Sequence, residues 1–148
     1  QPLDVAEKET VKALVDHGHV VITVGGGGIP VYQEGHQLIG IPAVIDKDFA
    51  SAKIAEILDA DYLIILTAVE KVAIHFGKPE VKWLSEMSVM EAQTYIAEGH
   101  FAPGSMLPKV QAAIKFAQSK PGRKALITSL EKAKEGIEGL TGTVIIDQ

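Results

Sequence analysis

Apolar positions recur along this chain in two rhythms, one helical and one extended. From Asp4 to His17, Val5, Val11, Leu14 and Val15 return at helical spacing and Gly18 stands where a left-handed residue ends a helix. Val20-Val21-Ile22-Thr23-Val24 is β-branched without alternation, which predicts a strand covered on both faces. Tyr32 to Gly40 is polar and rich in turn formers, predicting a loop or hairpin. Ile41 to Ile45 reads as a short strand with Pro42 at its edge, and Phe49, Ala50, Ile54, Ile57 and Leu58 form one helical face after Asp48. Tyr62 to Thr67 is a second fully apolar strand, so 41–67 reads as a right-handed strand, helix, strand crossover.

The second half continues the alternation. Val72 to Phe76 predicts a short extra strand, and Gly77-Lys78-Pro79-Glu80 a turn. Ser88-x-x-Glu91 has the form of a capping box opening a helix to Glu98, with Gly99 closing it. Pro103-Gly104 predicts a turn, Ser105 a cap, and Pro108 a place in the first turn of a helix that Val110, Ala113, Ile114 and Ala117 carry to about Ser119. Ala125 to Thr128 is a buried strand, Ser129 to Lys134 a short helical piece, and Thr143 to Ile146 a closing strand. Strands alternating with helices predict an α/β fold: a three-layer αβα sandwich around a mainly parallel sheet.

Composition narrows the partners. The 148 residues fit one domain, with 47% hydrophobic and 22% charged residues and no biased tract. A net charge of -5 without a stripe of Lys and Arg argues against nucleic acid. The absence of cysteine excludes disulfides, thiolate metal sites and cysteine nucleophiles. No apolar run is long enough for a membrane helix, so no membrane partner and a cytoplasmic location are expected. The chain opens on Gln1-Pro2 rather than methionine, which suggests that it begins inside a longer parent.

Three stretches carry candidate chemistry. Gly25-Gly26-Gly27-Gly28 leaves the carboxyl end of the first predicted strand, where open α/β sheets bind ligands, and four glycines let several N–H groups approach an anion. The spacing is neither a Walker A loop nor a dinucleotide fingerprint. In Asp46-Lys47-Asp48 a lysine stands between two aspartates at a helix start. Taken alone, that arrangement reads first as plain capping, with Asp46 as N-cap, Asp48 in the first turn and Lys47 solvated, and second as a set of groups that serves phosphate chemistry. Lys109, close behind Pro108, opposes the helix macrodipole, a small cost that a bound anion would reverse. His17, His19, His36, His75 and His100 show no zinc-type spacing, and no metal is assigned to them.

Val24 to Val31, Ala43 to Ser51, Leu63 to Thr67, Gly99 to Val110 and Ile127 to Leu130 together resemble carbamate kinase, a member of the amino-acid kinase superfamily. The likeness runs in order over nearly the whole chain but covers only the C-terminal half of such proteins, implying that the N-terminal half lies outside it. The resemblance implies reversible, Mg²⁺-dependent phosphoryl transfer between ATP and carbamate, giving ADP and carbamoyl phosphate, as used for ATP synthesis in arginine fermentation. It also implies a homodimer. By resemblance, Lys47 and Lys109 bind the transferring phosphoryl group, Asp48 organises the lysines or assists the metal, and Gly25 to Gly28 bind phosphate or carbamate. Thr67, Ala68, Val69, Val72, Met106 and Pro108 then line the ATP pocket. Ala68 departs from the superfamily, many members of which place Asp after the strand-ending Thr. Two alternatives stand beside this reading: another amino-acid kinase of acetylglutamate or uridylate type, and a catalytically inactive nucleotide-binding fragment.

Overall fold

The computed structural model describes residues 1–147. The chain divides into two compact units, 1–59 and 60–148. In the first, α1 (Lys8–Asp16) packs against α2 (Lys47–Ile57). Their shared core is Val5, Val11 and Ile54, with Val21, Val24, Ile57 and Leu58 against it. The helix begins later than Asp4 because that carboxylate takes the Val5 N–H at 2.9 Å and pairs with Lys8 instead. Gly18 does end it, at φ +81. Strands β1 (Val31–Glu34) and β2 (Gln37–Gly40) form an antiparallel hairpin around Gly35-His36.

Two predicted strands of this unit do not form. Residues 19–30 and 41–46 enter no ladder, so the crossover predicted from 41–67 lacks its first strand. Val20, Ile22 and Val44 are 98%, 97% and 94% exposed. A run of β-branched residues specifies extended backbone, yet a strand exists only where a neighbour supplies its hydrogen bonds.

The second unit is built on a four-stranded mixed sheet in the order β3 (Tyr62–Thr67), β7 (Lys124–Ser129), β8 (Thr143–Ile146), β6 (Glu86–Ser88). β3 runs parallel to β7 and β6 parallel to β8, while β7 and β8 are antiparallel. Consecutive Ala125, Leu126, Ile127 and Thr128 are all fully buried, so both faces of β7 are covered. On one face Gly136 of α5 (Ala133–Ile137) approaches Leu126 and Thr128 so closely that a β-carbon there would lie 3.0 Å from the Leu126 side chain. α4 (Met106–Gln118) crosses β3, β7 and β8 and packs on α3 (Val89–Ala97). The capping box at α3 is complete: the Ser88 hydroxyl accepts from the Glu91 N–H at 3.1 Å, and the Glu91 carboxylate accepts from the Ser88 N–H at 2.9 Å. β4 (Val72–Ile74) pairs with β5 (Lys82–Leu84) as a separate hairpin, and its loop brings Phe76 edge-on to Trp83 at 6.0 Å.

Candidate active site

The expected site residues fall into two sets, one on each unit. In the first unit the backbone turns sharply after Val24, which sits at φ +48, a region that a β-branched residue occupies only under strain. The Gly27 N–H donates to the Val24 carbonyl at 2.9 Å. Gly27 is buried at φ +100, and a β-carbon there would stand 1.9 Å from the Ile45 carbonyl oxygen and 3.4 Å from the Lys47 nitrogen. The glycine loop therefore lies directly on the start of α2. Gly25, Gly26 and Gly28 remain exposed beside it.

At that start Asp46 is a true N-cap. Its Oδ1 accepts from the Asp48 N–H at 2.8 Å and the Phe49 N–H at 3.4 Å. Those two donors are consequently engaged within the chain, so an anion here would rely on the Lys47 side chain and on glycine N–H groups rather than on the whole helix end. Lys47 is exposed, whereas Asp48 is buried at 7% exposure. A buried carboxylate in the first turn draws support from the positive end of the helix dipole.

In the second unit the parallel pair β3 and β7 ends with Thr67 beside Ser129. The segment that follows β3 is clamped by three threonines. The Thr128 hydroxyl donates to the Glu70 carbonyl at 3.2 Å, the Thr141 hydroxyl donates to the Glu70 carboxylate in a short bond, and the Thr143 oxygen accepts from the Val72 N–H at 2.8 Å. Thr143 also donates to the Leu84 carbonyl at 2.5 Å. The clamp leaves Ala68 exposed and Thr67 and Val69 half-buried along the strand edge. Val72 is fully buried, so its side chain has no surface to offer a ligand. Sequence reading missed these threonines, because nothing local announces that a hydroxyl at 141 or 143 will reach a segment some seventy residues earlier.

α4 returns through 119–123 to the amino end of β7, so its own amino end lies towards the carboxyl ends of β3 and β7. Met106, Pro108 and Lys109, all half-buried, sit in its first turns at that edge. The expected Ser105 cap does not form: Ser105 makes no side-chain cap bond. The Ala102 carbonyl instead accepts from the Ser105 and Leu107 N–H groups at 3.2 and 3.0 Å, and buried Phe101 anchors the loop. Among the described residues no group of three or more His, Cys, Asp or Glu could hold a metal ion, and no helix is long and apolar enough to cross a membrane.

A mixed sheet with helices and a glycine loop on a lysine-led helix start define a class, and the chain belongs to the amino acid kinase family, whose model matches residues 2–129. Within that class it is similar to named relatives. It is 69% identical over 145 residues to the carbamate kinase-like protein YqeA of Escherichia coli, covering 98% of this chain and 47% of that protein. It is 55% identical to the carbamate kinase of Clostridium perfringens, covering 99% and 46%. A solved structure of the Giardia lamblia carbamate kinase bound to AMP-PNP matches with a TM-score of 0.95 at 42% identity, over 100% of this chain and 46% of that one. The chain thus spans about half the length of the curated relatives it matches.

Proposed function

We propose that the intact protein transfers a phosphoryl group reversibly between ATP and carbamate, giving ADP and carbamoyl phosphate, and that this chain supplies mainly the ATP site. The observation that carries the reading is the seating of Gly27 on the Ile45 carbonyl, which sets a four-glycine loop against the start of a helix led by Lys47. The relatives named carbamate kinase supply the acceptor.

Phosphoryl transfer asks little covalent chemistry of a protein: the donor and acceptor oxygens must be held in line and the charge spreading over the transferring group neutralised. Lys47 and Lys109 supply that charge, and Asp48, buried in the first turn of α2, organises it. Gly25, Gly26 and Gly28 present N–H groups to carbamate or phosphate, while Gly27 fixes the loop. Thr67, Ala68, Val69, Met106 and Pro108 form the nucleotide wall, with Val72 as its buried backing. Asp48 is the carboxylate that would help hold a Mg²⁺ ion, which when bound would supply neutralisation of the phosphate charge. The resemblance further supports a homodimeric, cytoplasmic protein.

The test is a coupled assay on the intact protein, in which ATP should form from carbamoyl phosphate and ADP. Phosphorylation of acetylglutamate or UMP with none of carbamate would overturn the choice of acceptor. The 148 residues alone should show negligible turnover, because half of an acceptor site cannot position its substrate.

A further inference from the structure

The threonines that clamp the segment after β3 are not alike. Thr128 and Thr143 are fully buried, and each holds a backbone group of that segment, the Glu70 carbonyl and the Val72 N–H. They belong to the core of the second unit and fix the path of the chain through 70–72. Thr141 is half-buried and holds a side chain instead, its hydroxyl donating to the Glu70 carboxylate across 71 residues of sequence. Glu70 is exposed, and an exposed glutamate without such a partner samples many rotamers. The turn that carries Thr141, by contrast, is seated on the sheet. Gly142 is buried at φ +89, and a β-carbon there would stand 2.5 Å from the Leu126 side chain and 3.2 Å from the Ile127 carbonyl oxygen. Thr143 follows in register with Ile127 of β7. Position 141 is thus set by β7 and β8, so the threonine is the fixed partner of the pair and the glutamate the placed one.

Lys132 senses the carboxylate in that place: its ammonium is held above its ordinary range chiefly by Glu135 and in smaller part by the Glu70 charge. Where the charge is held matters because Glu70 directly follows Val69, within the segment read above as the nucleotide wall. ADP is a polyanion, and a carboxylate free to swing towards it lowers affinity by repulsion, whereas one held at the turn before β8 does not. We propose that Thr141 is a positioning residue for the nucleotide, acting through Glu70: it holds the carboxylate at that turn and keeps its charge away from a bound nucleoside diphosphate. This rests on the reading of the segment as part of the ATP site, and not on carbamate as the acceptor.

Calorimetric titration of the intact protein with ADP tests it. Thr141→Val should weaken ADP binding at least ~5-fold, the scale of a hydrogen bond to a charged group that is partly open to water, and Thr141→Ser, which keeps the hydroxyl, should restore it to within about 2-fold. In a Glu70→Ala background, Thr141→Val should change ADP affinity by less than about 2-fold, because no carboxylate is left to place. The thermal midpoint of both Thr141 variants without nucleotide should stay within about 2 °C of the parent. Unchanged affinity in Thr141→Val, an equal loss with and without the Glu70 side chain, or a loss accompanied by a larger fall in the midpoint would each overturn the inference. The coupled assay on the same samples separates this from the choice of acceptor. ADP binding that follows these expectations in a protein inert towards carbamoyl phosphate would remove carbamate and leave Thr141 in its role, while an intact protein that binds no ADP would overturn both.

Discussion

Gly27 and Ile45 can be neighbours only while position 27 has no side chain, since a β-carbon there would come within 1.9 Å of the Ile45 carbonyl oxygen. The φ of +100 adds a conformational cost for any L-residue. Gly27→Ala should therefore displace the loop from α2 and lower kcat of the intact protein at least ~100-fold, the scale of a positioning error near 1 Å. Gly25→Ala is the matched control, because nothing lies within 4 Å of its β-carbon and its φ is not in the left-handed region. A steady-state comparison of the two variants separates a requirement at position 27 from a general dislike of side chains in the loop.

Asp46 should prove to be a cap and nothing more. Asp46→Ala removes the acceptor of two N–H groups at the start of α2 and should cost about 1 kcal/mol, read from the urea midpoint. Asp46→Asn keeps an acceptor and should restore nearly all of it. Turnover of the asparagine variant close to that of the parent would confirm that the carboxylate charge takes no part in the reaction.

The lysines should behave in the opposite way. Lys47→Ala and Lys109→Ala in the intact protein should each reduce kcat by roughly two or more orders of magnitude, as expected for loss of a charge partner of the transition state. The thermal midpoint of the Lys47 variant should change little, since Lys47 is exposed. A near-normal kcat would remove that lysine from the site.

Thr143→Val tests the clamp behind the strand edge. The substitution keeps the shape of a fully buried side chain but leaves the Val72 N–H and the Leu84 carbonyl without the hydroxyl they share. Two buried groups left unsatisfied should destabilise the second unit by about 2–3 kcal/mol, seen as a lower urea midpoint with an unchanged slope.

The capping box at α3 gives a pH dependence with a defined sign. Hydrogen bonds from the Ser88 N–H and hydroxyl hold the Glu91 carboxyl below the usual carboxylate range. A carboxyl whose folded pKa is depressed stabilises the fold above its unfolded pKa, and that contribution is lost as pH falls through the folded value. Thermal midpoints should thus drop on acidification, and Glu91→Gln should lower the neutral-pH midpoint while removing this part of the acid dependence.

Where local chemistry decides an element, the sequence was sufficient. Asp46 and Ser88 carry their caps in their own side chains, Gly18 and Gly99 end helices because they accept a left-handed φ, and the apolar runs at Tyr62 to Thr67 and Ala125 to Thr128 form the strands β3 and β7. Where an element exists only through a distant partner, the sequence fell short. Val20 to Val24 looks like a central strand yet has no ladder, while Lys82 to Leu84 and Glu86 to Ser88, too short and too polar to stand out, become strands because Val72 to Ile74 and β8 lie beside them. The same division runs through the site: the glycine run and the lysine-led helix start were legible, but the seating of one on the other and the threonine clamp were not. Ser105 misled because a loop carbonyl, that of Ala102, does the work expected of its hydroxyl.

β8 follows every other strand in sequence, yet it lies between β7 and β6. During synthesis β6 and the helix it leads into must therefore wait, with no strand beside them, until Thr143 to Ile146 has left the ribosome. A nascent chain halted before Gly142 would hold the β3–β7 pair with one flank of β7 open, the kind of edge that recruits chaperones or mispairs with a neighbouring copy.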